Sequence, residues 1–170
     1  MRFWSVLAIL PLSACMTVLP LEQIVLDSAQ TSAGGLATQT SPLPETAVAG
    51  SETFAAILND ERGALSLVAV TPEPRLTEAA QSHAEDMHDN DYLSHTGLNG
   101  SSVADRALAV GYDYAFIAEN IAQGFYSEEA VFEAWMNSPG HAANILDERA
   151  EDFGLGLEGD TWVLMLGAER

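Results

Sequence analysis

The sequence predicts an α+β domain in which several helices pack on a small sheet. Helical patterns occupy most of residues 51–146, whereas the two clearest strand patterns follow later, at 153–158 and 162–167. Helices and strands that segregate along a chain in this way are typical of the α+β class. The chain has 170 residues, of which 48% are hydrophobic, so it can form one domain with its own core but hardly two.

Two helices are predicted in the first half of this domain. Ser51 is a preferred N-cap for the first helix. The second helix has the clearer pattern, with one apolar face and one acidic face. Its apolar face contains Leu76, Ala79, Ala80, His83, Ala84 and Met87. We expect His83 to be a hydrogen-bonded core residue, His88 to lie on the surface, and the proline-rich residues 70–75 between the helices to form a loop.

Four shorter elements are predicted between the second helix and the late strands. Residues 101–110 suit a short helix, and residues 116–122 suit a strand or a strand–loop passage. Ser127 is a preferred N-cap for the next helix. Ser138 and Pro139 then end that helix and start another, because serine is a preferred N-cap and proline a preferred first helical residue.

His141 falls at the third position of this last helix. The positive end of the helix dipole disfavours a protonated imidazole there. A neutral imidazole is the form that a metal ion or a hydrogen-bonding pocket requires. The same position is equally compatible with a surface histidine, so the role of His141 depends on the residues that fold against it.

The composition is strongly acidic. Aspartate and glutamate number 25 against 6 basic residues, all of them arginine, which gives a formal net charge of −19. Such a charge excludes binding to nucleic acid and electrostatic docking to anionic lipid. It is typical of a soluble protein whose copies repel one another, and it attracts divalent cations loosely.

The N-terminal residues have the pattern of a secretory signal. Arg2 precedes an apolar stretch at 3–12, and the chain then reads L-S-A-C, ending at Cys15. This ending resembles the lipobox of bacterial lipoproteins, which implies cleavage after residue 14 and acylation of the Cys15 thiol. A plain signal peptide and an uncleaved anchor are the alternatives. Since Cys15 is the sole cysteine, the fold contains no disulfide.

Residues 15–50 are expected to be a lipid-anchored, flexible tether, because much of this stretch is rich in Ser, Thr, Ala, Gly, Pro and Gln. The folded domain then spans 51–170. We expect an exported protein of the cell envelope, anchored through Cys15. It would lie in the periplasm or at the outer membrane of a Gram-negative cell, or be secreted if it carries no lipid.

Five stretches together resemble the bacterial branch of the CAP superfamily, the SCP-like domain shared by cysteine-rich secretory proteins, antigen 5 and pathogenesis-related 1. They are L-T-E-A-A-Q-S-H-A-E-D-M (76–87), S-H-T-G (94–97), A-E-N-I-A (118–122), A-W-M-N-S-P-G-H-A-A-N-I-L (134–146) and F-G-L-G-L (153–157). The resemblance runs from about residue 51 to the C-terminus. It implies an α-β-α sandwich with a small antiparallel sheet, and a cleft lined by two histidines and one or two glutamates.

Carried over residue by residue, the resemblance implies that His95, His141 and Glu119 line the cleft. Two imidazoles and a carboxylate suit a divalent metal, zinc ahead of calcium or magnesium, or a general acid–base pair. Many family members have a second cleft glutamate where this chain has Ser138, so the set of four is incomplete here. The residues expected to support the cleft are Ser94, Asn120, Ser138 and Asn144.

The sequence favours a binding module whose cleft takes a small molecule, a lipid or a cell-envelope component. Two alternatives stay open: a metal-dependent hydrolase or protease that uses the same cleft, and a structural or interaction protein of the envelope. The chain has no H-E-x-x-H motif, and no nucleophile with an evident base, so no catalytic residue is assigned. We expect a monomer that contacts the membrane only through its lipid and binds no nucleic acid.

Overall fold

The computed structural model describes residues 52–170, which form five helices and four strands. The predicted signal, Cys15, the tether and the Ser51 cap lie outside the described residues. The elements in chain order are α1 (Glu52–Ala64), β1 (Thr71–Pro72), α2 (Pro74–Asp89), α3 (Val103–Ala109), β2 (Tyr114–Gln123), α4 (Glu128–Met136), α5 (Pro139–Ile145), β3 (Asp152–Glu158) and β4 (Thr161–Glu169). Within residues 52–170, no helix is both long and apolar enough to span a bilayer.

The strands form one small sheet in the order β1-β3-β4-β2. The last strand, β4, lies in the middle and pairs antiparallel with both β3 and β2. Strand β1 pairs parallel with β3 at the edge. The sheet is therefore antiparallel except for one short parallel pair.

The expectation of a loop at residues 70–75 is wrong at Thr71–Pro72, which form β1, and at residues 74–75, which begin α2. Thr71 N–H donates to the Glu151 carbonyl at 2.9 Å, and Glu73 N–H donates to the Phe153 carbonyl at 2.8 Å. Pro72 has no N–H to donate, which an edge strand tolerates. The prolines thus shorten the strand without abolishing it.

Helices cover both faces of the sheet, which confirms the α-β-α sandwich. Side chains of β4 point alternately to the two faces, and both faces are buried. On one face, Leu164 and Leu166 pack with apolar residues of α1, α4 and α5. On the other face, Val163 and Met165 pack with α2 and α3. All six residues predicted for the apolar face of α2 are buried, His83 among them.

Two glycines of β3 bring α2 unusually close to the sheet. A Cβ atom at Gly154 would collide with the backbone of Leu76 and Thr77, and one at Gly156 would collide with the backbone of Ala80. In the alternation F-G-L-G-L, the bulky residues therefore face α1, α4 and α5, whereas the two glycines face α2.

The bounds of four elements and one surface assignment differ from the sequence prediction. The helix predicted at 101–110 begins later, because Ser102 and Asp105 form a capping box at its start. The segment predicted at 116–122 is a full strand, β2, extended at both ends by pairing with β4. Strands β3 and β4 extend slightly beyond the predicted 153–158 and 162–167. His88 is partly buried, because its ring packs against Gly159 in the β3–β4 turn.

Candidate functional site

Three separate parts of the fold supply the predicted cleft residues. His95 lies in the loop between α2 and α3, Glu119 lies on β2, and His141 lies in the first turn of α5. The Nδ1 atom of His95 is 2.8 Å from Oε1 of Glu119. Burial, and then the neighbouring His95, lower the pKa of His141. The structure therefore joins His95 to Glu119 directly and brings His141 within electrostatic range of His95.

The dipole argument gave the right direction for the pKa of His141. The causes in the fold are its burial and the proximity of His95. Ser138 stands at the N-cap of this helix with extended backbone, but its side chain makes no capping hydrogen bond within the described residues. Burial and the neighbouring His95 therefore both favour the neutral imidazole of His141.

Glu119 is the most buried member of the cleft, and both of its carboxylate oxygens are occupied. Its side chain is 2% exposed. Oε1 faces His95, and Oε2 accepts a hydrogen bond from Nη2 of Arg106 at 2.6 Å. Because a carboxylate accepts and an imidazole N–H donates, Nδ1 of His95 carries the proton in this pair. In neutral His95, Nε2 is then the acceptor, on a side chain that is 57% exposed.

Arg106 is a site residue that the sequence analysis missed. Besides Glu119, its guanidinium donates to the His95 carbonyl at 3.0 Å and to the Ser101 carbonyl at 2.9 Å. Its side chain is only 10% exposed. One signal was available: in a strongly acidic chain, Arg106 is the single basic residue between Arg75 and Arg149.

Two asparagines, Asn120 and Asn144, tie α5 to β2. Asn120 donates to the His141 carbonyl at 3.1 Å. Asn144 donates to the Glu119 carbonyl at 3.2 Å and to the Asn120 side-chain oxygen at 2.8 Å. These bonds fix the backbone on either side of the cleft, so the spacing between Glu119 and His141 is set by the fold.

Ser94 shapes the loop that carries His95. Its hydroxyl accepts from Thr96 N–H at 3.0 Å, and its carbonyl lies 2.9 Å from Nε2 of His83. Since a carbonyl only accepts, Nε2 of His83 donates in this contact. Burial, and next the charge of Arg106, lower the pKa of His83. His83 is thus a neutral, hydrogen-bonded core residue, and its bond to the Ser94 carbonyl supports the loop that carries His95.

The residues present do not fit a divalent metal ion. In the part of the chain that the structure describes, no group of three or more His, Cys, Asp or Glu side chains is placed to hold one. Glu119, the carboxylate that a metal would need, already pairs with the cationic guanidinium of Arg106. We therefore derive no chemistry through a metal.

Comparison with known proteins identifies the fold and the family. The model of the cysteine-rich secretory protein family, CAP, matches residues 55–164. The chain belongs to the CAP family. This confirms the resemblance seen in the sequence, and the sandwich described above is the CAP fold of this chain.

Solved structures and curated relatives agree with this assignment. An extracellular SCP-domain protein from Bacillus anthracis superposes with a TM-score of 0.67 at 25% identity, over 69% of this chain and 39% of that one. An outer surface protein from Borrelia burgdorferi gives a TM-score of 0.65 at 22% identity, over 69% of this chain and 91% of that one. At this identity, the Borrelia structure shows a shared fold alone.

Among curated proteins, the uncharacterized protein YkwD of Bacillus subtilis is 31% identical over 125 residues, which is 72% of this chain and 49% of YkwD. The uncharacterized membrane protein YlbC of the same species is 35% identical over 81 residues, which is 48% of this chain and 23% of YlbC. This CAP chain therefore spans about half or less of the curated relatives it matches.

Proposed function

We propose that this CAP protein is exported and binds a small cell-envelope component in the cleft of His95, Glu119 and His141, without transforming it. The observation that carries the proposal is the state of Glu119, which is buried and engaged on both oxygens. A carboxylate held in this way is a fixed counter-ion. It is poorly suited to act as a general base, which must be free to accept a proton from the substrate.

The charges of the cleft indicate the chemistry of its ligand. Glu119 and Arg106 neutralise one another, and His141 is held in its neutral form by a lowered pKa. The neutral imidazole of His141 offers hydrogen-bonding nitrogens rather than a net charge, and the ring of His95, on a side chain that is 57% exposed, adds a further hydrogen-bonding nitrogen. Of the three ligand classes expected from the sequence, this favours a neutral, hydroxyl- or amide-bearing fragment, such as a piece of cell-wall glycan with its peptide.

A ligand-capture experiment tests this binding role. The full chain is incubated with an enzymatic digest of peptidoglycan, and retained fragments are identified by native mass spectrometry. We expect one fragment to bind the wild type and to lose roughly tenfold in affinity in His141→Ala, since about 1.4 kcal/mol of hydrogen bonding is lost. His88→Ala is the matched control, because this histidine packs against Gly159 on another part of the domain.

Two results would count against the proposal. Binding of the same fragment by wild type and His141→Ala with equal affinity would place the ligand elsewhere on the domain. Failure of the wild type to retain any fragment would favour the structural or interaction role.

Export through a lipid anchor is a separate part of the proposal. It is supported by the L-S-A-C stretch ending at Cys15 and by the extracellular description of the similar SCP-domain protein from Bacillus anthracis. In cells that export the chain, Cys15→Ser is expected to move it from the membrane fraction to the soluble fraction. Identical fractionation of the two forms would exclude the anchor.

A further inference from the structure

We propose that a cavity between α2 and α3 is a second binding site, which takes a small organic ammonium ion through Asp86 and Asp105. The cavity is enclosed by the two helices and the loop between them, and its volume is about 470 Å³. Pockets for small molecules usually have volumes of about 300–1,000 Å³. The inference goes beyond the proposed function, because His95, Glu119 and His141 do not line this cavity.

The charge of the cavity comes from both helical walls. Asp86 lies on α2 and Asp105 lies on α3, and both line the cavity. Neither carboxylate takes part in an ion pair within residues 52–170. Arg106 also lines the cavity, but its charge is already balanced by Glu119, at 2.6 Å. The cavity therefore carries uncompensated negative charge, which favours a cationic ligand.

Asp105 is the more open of the two carboxylates. Its Oδ2 accepts the N–H of Ser102 at 2.9 Å and the hydroxyl of Ser102 at 2.6 Å. Its Oδ1 accepts no hydrogen bond from any residue that the structure describes. The bonds from Ser102 lower the pKa of Asp105, so this side chain is ionised at neutral pH. An ionised oxygen that lacks a donor is a suitable partner for an ammonium group, because charge-assisted hydrogen bonds are the strong ones.

Asp86 is held more firmly than Asp105 and has less spare capacity. Its Oδ2 accepts from the Tyr92 hydroxyl and from the Leu98 N–H. Its Oδ1 accepts from Asn90 at 3.1 Å. The bond from Tyr92 is the main cause of its lowered pKa. Since a carboxylate has about four acceptor positions and an ammonium group has three N–H donors, Asp86 can still accept one N–H of the ligand.

The apolar part of the lining indicates what the ammonium group is attached to. Ala79 on α2, Leu98 in the loop and Ala109 on α3 all line the cavity. A short alkyl stem would bury apolar surface against these side chains. A phosphate beside the ammonium group would be repelled by the two carboxylates. We therefore expect a free alkylamine rather than the headgroup of a phospholipid.

An NMR titration of the full chain tests this site. The probe is n-pentylamine, which is protonated at neutral pH, and its neutral counterpart of equal length is n-pentanol. Salt at about 0.15 M screens the loose attraction of cations to the acidic surface. We expect pentylammonium to give saturable shifts of the backbone N–H signals of Leu98, Ser101 and Ala109. Pentanol should bind roughly tenfold more weakly, because it lacks the charge-assisted hydrogen bonds.

Three variants separate the cavity from the general charge of the protein. Asp105→Asn keeps the shape of the side chain and removes its charge, so the affinity for pentylammonium should fall roughly tenfold. Asp60→Asn is the matched control: it makes the same change in net charge at an exposed position of α1, and the affinity should not change. Ala109→Phe adds a large ring to the cavity wall and should abolish the saturable shifts.

Three results would overturn the proposal: equal affinity for pentylammonium and pentanol, equal affinity of the Asp60 and Asp105 variants, or shifts that spread over the surface without saturating. If Asp105→Asn fails to fold, Ala109→Phe still gives an answer, because it leaves both carboxylates in place; retained binding in that variant also overturns the proposal. The titration uses no envelope fragment, and the capture of peptidoglycan fragments depends on His141. Failure of the amine site is therefore distinguishable from failure of the proposed function.

Discussion

The buried side chain of Arg62 holds one connection of this CAP domain in place through hydrogen bonds to its backbone. It is fully buried at the end of α1. Its guanidinium donates to four backbone carbonyls, those of Val68, Ile145, Asp147 and Ala150, at 2.7–3.2 Å. Three of these carbonyls belong to the end of α5 and the segment after it. Arg62 thus holds the α5–β3 connection against α1 without a strand or a disulfide.

We expect Arg62→Met to lower the free energy of unfolding by about 3 kcal/mol or more, because it leaves several buried carbonyls without a donor. Urea denaturation followed by tryptophan fluorescence measures this loss. Arg170→Ala is the control: its ion pair with Asp113 is exposed on both sides, so a change within about 1 kcal/mol is expected. Equal effects of the two substitutions would contradict the role given to Arg62.

His141 makes stability depend on pH in a defined direction. Burial, and the charge of His95, hold its pKa below the ordinary value of 6.5. Between the folded and the ordinary pKa, the unfolded chain binds more protons than the folded one. Stability is therefore complete above about pH 6.5 and declines as the pH falls below it. His83, whose pKa is also lowered, acts in the same direction.

We predict that His141→Gln flattens this decline without removing it, because His83 still contributes. Urea midpoints of wild type and variant, measured at about pH 7.5 and about pH 5.5, give the two slopes. A variant whose midpoint falls as steeply as that of the wild type would show that His141 is not neutral in the fold.

At the scale of elements, the contact between α2 and β3 depends on the absence of side chains. Gly154 and Gly156 face the α2 backbone so closely that a Cβ atom at either position would collide with it. We expect Gly154→Ala to destabilise the domain by about 3 kcal/mol, since a rigid helix must move to admit a methyl group. Gly63→Ala is the matched control. Because Gly63 has open space around it in α1, alanine there should stabilise by about 0.5–1 kcal/mol.

Thermal unfolding of both glycine variants measures this difference. A tolerated Gly154→Ala would mean that α2 lies farther from the sheet than described. The contact would then be a loose one, and the alternation F-G-L-G-L would have another cause.

The spacing of apolar residues along the sequence predicted most of the helices and strands in their correct order. The apolar face of α2 is continuous over about three turns, and the pattern of small and apolar residues there identifies all six buried positions. Strand β1 was not predicted, because two residues are too few to show the alternation of apolar and polar side chains that identifies a strand, and one of them is a proline. Its existence depends on β3, which lies about eighty residues later in the chain.

The cleft was predictable only in part. His95, Glu119 and His141 were found through motif resemblance, and their meeting point depends on the fold. Arg106 was missed because periodicity does not show which carboxylate a buried arginine will pair with. That choice is made by the packing of α3 against β2, thirteen residues away.

At the scale of the whole molecule, charge is the dominant feature. Each of the five arginines among residues 52–170 is already bonded, four to carboxylates and Arg62 to carbonyls. With 25 acidic residues against 6 basic ones in the full chain, a large surplus of carboxylates has no basic partner to offset it. Their mutual repulsion opposes the compact state and is reduced by salt.

We therefore expect the urea midpoint of unfolding to rise between about 0.1 M and about 1 M NaCl, where the Debye length falls from about 10 Å to about 3 Å. Equal increases in NaCl and KCl would identify screening as the cause rather than binding of a particular ion. A midpoint that falls with salt would mean that attractive ion pairs dominate the balance of charges.

The central position of β4 also has a consequence for the order in which the domain can be completed. A ribosome makes β2 and β3 before β4, yet each of them pairs along its length with β4. Until residues 161–169 have emerged, β2 has no partner in the sheet. The strand that carries Glu119 is then not held by its pairing with β4. Chains that lack residues 161–169 should therefore remain open and sensitive to proteases.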